Sequence, residues 1–243
     1  MLSAQMDTQE ATSAAMLRLM GYRPSKLFEP KSDHERHALG MIAPHFSSEE
    51  NALSWMSAFE VRGVFTKLYA WAIPSDAALE RIASYGPIIE IGAGTGFWSA
   101  MLAARGTDVI AFDQAPLPEN VPETMCDLLK SEAEADAAIN PWHVGQSSKG
   151  PVLRGSAAEA SLYPERALML CWPPYNTSFA YDALVDYAGD TVIYIGEHSG
   201  GCCATDEFFS LLCEKFDEVE CVAIPQWPGI HDDITIWKRK AAT

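Results

Sequence analysis

Basic residues are scarce in this chain of 243: Lys and Arg number 17 against 33 Asp and Glu, a formal net charge of −16. A surface this acidic repels phosphates, so neither nucleic acid nor an anionic membrane is expected as a partner. Long apolar runs are also missing. No stretch reaches the roughly 18 residues of a membrane helix. The opening MLSAQMDTQEATSAAM lacks a basic segment followed by an apolar one, so the expectation is a soluble chain working in the cytoplasm. The six cysteines include no C-x-x-C pair, and several lie in apolar runs where a reduced thiol packs as a small hydrophobe. That usage suits a reducing compartment. Metal-ligand patterns are equally thin: His34 and His37 stand in H-E-R-H, not H-E-x-x-H, with no third ligand in sight, so no metal is expected. There is no internal repeat, and the surroundings of Ser156 are not the G-x-S-x-G of a nucleophile elbow.

What is present suffices for a sizeable core, with a hydrophobic share of 48% and a charged share of 21%. The first 87 residues carry helix signals: Thr8 to Met20, Asp33 to Met41, Glu49 to Ala70, and Ser75 to Ser84 with Ser75 as its cap. From residue 88 apolar strand-like runs alternate with helical segments: IIEIG (88–92), DVIAFD (108–113), PVLRG (151–155), ALMLC (167–171) and TVIYIG (191–196). Such alternation predicts a parallel sheet with helices on both faces. FDEVECVAI and DITIWKRK, near the end, are separated by a segment too short for a crossover helix, so they are expected to pair antiparallel. Residues 116–150, with a candidate helix at 123–138, read as an excursion between the second and third strands. The expected division is a helical cap over 1–87 and a Rossmann-like α/β domain over 88–243.

The run EIGAGTG, Glu90 to Gly96, follows the first strand and opens a helix, a context in which glycines let backbone approach a charged ligand. The dinucleotide pattern G-x-G-x-x-G is not met, because Phe97 or Ser99 stands where its third glycine belongs. A Walker loop is excluded by the absence of G-K-[ST].

E-x-G-x-G-x-G after a first strand, with Asp113 closing the second, resembles the cofactor loop of class I S-adenosylmethionine (SAM) dependent methyltransferases. The resemblance implies SAM as cofactor, with Gly92, Ala93, Gly94, Thr95 and Gly96 around its methionyl part and Glu90 in support. It implies Asp113 at the ribose hydroxyls and Gln114 near the adenine edge, with Cys171 close to the same site. Many relatives carry an Asp after the third strand; here Gly155, Ser156 and Ala157 stand instead, leaving adenine recognition to Ser156, Ala157 or backbone. The other reading of the loop is a tight strand-to-helix turn with no ligand.

CWPPY, Cys171 to Tyr175, ends the fourth strand at the same sheet edge and resembles the Asp/Asn/Ser-Pro-Pro-Tyr/Phe block of amino-group methyltransferases. Trp172 replaces the polar first residue and has no acceptor to offer, while the Pro173 carbonyl still does; Tyr175 completes the block. An aromatic face at Trp172 suits a cationic centre. The opposing reading is a rigid turn with Trp172 as core. Glu197 and His198, closing the fifth strand, are the candidate general bases for a hydroxyl or thiol acceptor. Tyr69 and Trp71 are candidates for a lid, and Trp227 with His231 for a substrate wall; each such aromatic is more often core than lid, because large aromatics dominate burial. YAWAIP, GAGTGFW, LCWPPY, YIGE and PQWPG together resemble a group of bacterial methyltransferase-like proteins, which bears on the fold and not on the substrate.

The expectation is therefore methyl transfer from SAM to a small-molecule acceptor through nitrogen or oxygen. A SAM-binding regulator, a nucleotide-dependent oxidoreductase and a methyltransferase acting on basic protein tails are the alternatives. Oligomeric state is not legible.

Overall fold

The computed structural model describes residues 55–119, 140–143, 146–227 and 229–241. The expected helices Thr8 to Met20, Asp33 to Met41 and 123–138, with His34 and His37, lie outside the described residues. In chain order the elements are α1 (Trp55–Leu68), α2 (Asp76–Ala83), β1 (Ile88–Ile91), α3 (Phe97–Ala103), β2 (Val109–Asp113) and β3 (Leu153–Arg154). A 3₁₀ turn (Ala157–Leu162), β4 (Ala167–Cys171), α4 (Phe179–Val185), β5 (Thr191–Gly196), α5 (Asp206–Lys215), β6 (Phe216–Ala223) and β7 (Asp233–Arg239) follow. No helix among the described residues is long and apolar enough to cross a membrane.

The strands form one seven-stranded sheet in the order β3-β2-β1-β4-β5-β7-β6. β1 to β5 run parallel, while β7 pairs antiparallel with both β5 and β6, as the short final connection requires. This is the Rossmann-like α/β sheet with an antiparallel last hairpin. β1 and β5 are buried along their whole length, and β4 except at Cys171, because helices cover both faces.

Alternation along each strand deals side chains to two cores. Ile88, Met169, Ile193 and Ile236 join Phe65, Leu68, Leu79, Trp98 and Met101 beneath α1, α2 and α3. Ile89, Leu168, Leu170 and Val192 join Leu184, Phe208 and Leu212 beneath α4 and α5. Each fully buried Ile or Leu contributes roughly 1.5–3 kcal/mol of apolar transfer, so the central strands dominate stability. Local signals set the element ends: Ser75 Oγ accepts the Ala78 N–H and caps α2, and Thr205 Oγ1 accepts the Phe208 N–H at the start of α5.

One expectation shortens. β3, expected over 151–155, is only two residues, and the connection to β4 is a 3₁₀ turn opened by a capping box in which Ser156 and Glu159 bond each other. The amino ends of β1, β2 and β4 are tied by Arg166, whose guanidinium grips both Asp108 oxygens at 3.0 and 2.8 Å and reaches the Ile88 carbonyl at 3.3 Å. The opposite, carboxyl edge is left for the loops.

Candidate functional site

The loop between β1 and α3 turns on Gly92, Gly94 and Gly96, with φ of 77°, 54° and 72°. Left-handed backbone of this kind is strained for any residue with a Cβ. The loop is stitched to the end of β2: the Gly92 and Ala93 N–H groups donate to the Phe112 carbonyl at 2.8 and 3.0 Å. The Asp113 carboxylate extends the stitch, accepting the Gly94 N–H on Oδ2 at 2.8 Å and the Ala115 N–H on Oδ1 at 2.9 Å. Each oxygen retains a second lone pair for a ligand hydroxyl. The space that side chains at the glycines would need is occupied by this chain's own groups: Phe179 lies 2.8 Å from a Cβ built on Gly92, His143 3.0 Å from one on Gly94, and Val152 2.7 Å from one on Gly96.

Glu90 follows from strand alternation: it shares its face with Ile88, so it is buried beneath α3, where the Ser99 hydroxyl donates to it. Burial pushes its carboxyl up to about 7; the Ser99 hydrogen bonds oppose that, and the Asp113 charge adds to it. Thr95 is anchored from the other side, its hydroxyl donating to the Tyr69 carbonyl.

A strap that no sequence motif marks lies over this loop. The Lys149 N–H donates to the Thr95 carbonyl at 2.7 Å, and His143 Nδ1 donates to the Lys67 carbonyl at 3.1 Å, leaving Nε2 beside Gly94. Burial holds the imidazole below its usual value, outweighing the Lys67 carbonyl and the Asp113 charge, which favour the proton. Between these anchors Gln146 and Ser147 are 1% exposed, and neither the Gln146 amide nor the Ser147 hydroxyl has a hydrogen-bond partner among the described residues. Buried polar atoms without partners mark a place where a polar ligand or ordered water belongs. With the spare lone pairs of Asp113, the donor set fits a ligand rich in hydroxyl and amino groups. No sequence pattern flagged these residues, since the segment reads as irregular.

At the end of β4, Trp172 adopts φ 49°, uncommon for a bulky residue. Its N–H donates to the Ile195 carbonyl at 2.8 Å, and its indole Nε1 donates to Asp232 Oδ1 at 2.9 Å. Trp71 stacks on it, with centroids 5.2 Å apart and planes at 21°. Asp232 is fully buried, and burial pushes its carboxyl up to about 7 against the pull of Trp172 and Arg62. Cys171, in the field of Glu90 and Asp232, has its thiol raised well above the usual range by burial, which disfavours the thiolate.

The remaining predicted residues divide by surroundings. Both Glu197 oxygens are engaged, Oε2 by the Cys202 N–H at 2.9 Å and Oε1 by the His231 N–H at 3.0 Å. Burial alone would raise this carboxyl, yet those donors together hold it below its ordinary value, which suits a loop clamp better than a proton acceptor. His198 Nε2 lies 3.0 Å from Asp233 Oδ2 at the half-exposed rim. The Pro173 carbonyl already accepts the Ala204 N–H at 3.0 Å. Tyr69 and Trp227 are core: Tyr69 packs on Phe65 and Phe97, and Trp227 lies edge-on to Phe65. Ser156 is taken up by its capping box, Ala157 is buried beside it, and Gln114 and Tyr175 are exposed, as is the His231 ring.

No protein-family model matches the chain, and a search of curated proteins finds no match. Solved structures do match in fold. Magnesium protoporphyrin IX methyltransferase from Synechocystis PCC 6803 with bound S-adenosylhomocysteine aligns at 10% identity and TM-score 0.41, over 86% of this chain and 95% of that one. The 1,6-didemethyltoxoflavin-N1-methyltransferase of Burkholderia thailandensis aligns at 16% identity and TM-score 0.40, over 76% and 85%. An rRNA methylase from Streptococcus thermophilus aligns at 13% identity and TM-score 0.37, over 69% and 98%. These are among the proteins to which the chain is similar in fold.

Proposed function

We propose that the protein is a SAM-dependent methyltransferase acting on a small molecule through nitrogen or oxygen. One observation carries the reading: three left-handed glycines stand at the carboxyl edge of β1, and the middle one, Gly94, is fastened to Asp113, an acid whose oxygens keep free lone pairs. Gly92 to Gly96 would hold the methionyl part and Asp113 the ribose, with Glu90 supporting the loop from beneath. Gln146 and Ser147 supply polar atoms for the rest. When bound, SAM supplies an electrophilic methyl on a sulfonium.

The chain's own part is alignment and exclusion of water. The rigid block Trp172 to Tyr175, pinned by Ile195, Ala204 and Asp232, stands at the mouth between β4 and β5. A neutral amine needs no base before displacement, so a positioned acceptor in a dry site is sufficient chemistry. A hydroxyl acceptor would depend on a base, and His198 beside Asp233 is the rim candidate. Cys171, Cys202, Cys203, Cys213 and Cys221 are free thiols, in keeping with a reducing compartment. The second reading, a SAM-binding protein without catalysis, is favoured by one fact: the Pro173 carbonyl and both Glu197 oxygens each already accept one of the protein's own N–H groups, which leaves them fewer lone pairs for a methyl acceptor.

Titration calorimetry with SAM and S-adenosylhomocysteine tests the reading. Micromolar binding by the wild type and its loss in Gly94→Arg are expected; wild-type protein that binds neither at high micromolar concentration overturns it. Radiolabelled methyl transfer into small-molecule extracts then separates enzyme from binder.

A further inference from the structure

The W-P-P-Y block has no side-chain acceptor at its first position, yet the fold delivers one from 60 residues away. Asp232, in the loop before β7, bonds the Trp172 indole through Oδ1, and its Oδ2 is buried without a hydrogen-bond partner among the described residues. Arg62, on α1, faces the same place. Its guanidinium carbon is 5.2 Å from the Trp71 ring and 5.2 Å from the Trp172 ring, while the two rings are themselves 5.2 Å apart. The three centres form a triangle of equal sides, so the guanidinium sits at the rim of the indole stack and not between its leaves. Arg62 Nε is also buried without a partner, although the Arg62 charge acts on Asp232.

An orphaned carboxylate oxygen and an orphaned guanidinium nitrogen beside one aromatic pair make an unsatisfied arrangement, since each unpaired buried group costs desolvation that no bond offsets. The chemistry that satisfies it is narrow. A flat group is needed to lie against indole, positive charge is favoured by the ring faces, and N–H donors are needed for Oδ2.

We propose that Asp232, Trp71 and Trp172 form a subsite for a planar nitrogen base bearing N–H groups, an amidine or an amino-substituted heterocycle, and that Arg62 occupies it in the free protein as a surrogate. That this group is the methyl acceptor rests on the methyltransferase reading; the subsite itself does not. The Asp232 carboxyl does the work that the polar first residue does in an Asp/Asn-Pro-Pro-Tyr block, from the loop before β7. Its carboxyl, raised to about 7, is poised to change charge as a cationic partner arrives.

Benzamidine is the probe, with neutral benzamide as its shape-matched control, read by calorimetry and tryptophan fluorescence. Arg62→Ala is expected to bind benzamidine at least tenfold more tightly than the wild type, and to prefer it at least tenfold over benzamide. Adding Asp232→Asn, which keeps an acceptor for the Trp172 indole, is expected to remove at least tenfold of that affinity. Equal benzamidine binding by Arg62→Ala and the double variant, or no gain in Arg62→Ala, overturns the proposal. If the double variant melts at the assay temperature, Arg62→Ala with Trp71→Leu decides: a loss of at least fivefold supports the subsite, and unchanged binding overturns it. S-adenosylhomocysteine titrated into the wild type alongside reports on the methyltransferase reading separately, so either can fail without the other.

Discussion

Gly96 shows how a single missing side chain organises the cofactor loop. Its φ of 72° and the Val152 methyl 2.7 Å from a notional Cβ mean that Gly96→Ala meets both backbone strain and a clash. The expected loss is about 2–4 kcal/mol in urea unfolding, the sum of left-handed strain and overpacking. Val152→Ala added to it should recover the steric part alone. Glu90 acts in a different way. Its carboxyl moves from 4.5 to about 7 on folding, so the folded protein binds more protons than the unfolded chain between those values. The Glu90 contribution to stability is therefore full below about 4.5 and is lost as pH rises through about 7, and Asp232, raised to about 7, adds in the same direction. Glu90→Gln is expected to flatten that slope and to gain on the order of 2–3 kcal/mol above neutrality, read as melting temperature against pH. The motif made Glu90, the glycines and Asp113 visible in the sequence because their spacing is local. Asp232 was not visible, since its partner Trp172 is 60 residues distant and nothing in HDD marks the middle of three polar residues as buried.

Strands and helices were legible where burial leaves an unambiguous pattern. β4 and β5 are continuous apolar runs and appear with the expected boundaries, and α2 is announced by its Ser75 cap. β3 shrank because Leu153 and Arg154 are exposed at the end of the sheet, where none of the described residues covers them and pairing stops after two residues. The aromatic segments stayed open between core and lid for a related reason: Tyr69 and Trp227, in the core, are told from Trp71, half-buried on Trp172, only when the partners are known. Between elements, Tyr187 is a fastening that sequence does not show. Its hydroxyl lies 2.6 Å from the Arg166 carbonyl and 2.8 Å from the Thr191 carbonyl, and accepts the Leu168 N–H at 3.3 Å, joining the beginnings of β4 and β5. Tyr187→Phe should cost about 1–3 kcal/mol in chemical denaturation, the penalty for leaving those backbone groups unpaired.

For the molecule as a whole, the charge of −16 is spread over a surface with few cations to offset it. Self-repulsion of this size weakens the compact state at low ionic strength, so raising sodium chloride from about 20 to about 200 mM should raise the melting temperature by a few degrees. Immobilised heparin should not retain the protein at either concentration. The ends of the sheet carry the same sign into a different matter. One end is the two-residue β3; the other is β6, with Asp217 and Glu218 exposed, Glu220 held by Arg81, and the register shifting between Glu218 and Glu220. A stray extended chain seeking backbone partners finds at one end too little length and at the other a kinked, like-charged rail. The open sheet, which has two unpaired borders by construction, is thereby a poor seed for fibrillar growth, and the acids that say nothing about the reaction keep the protein dispersed in a concentrated solution.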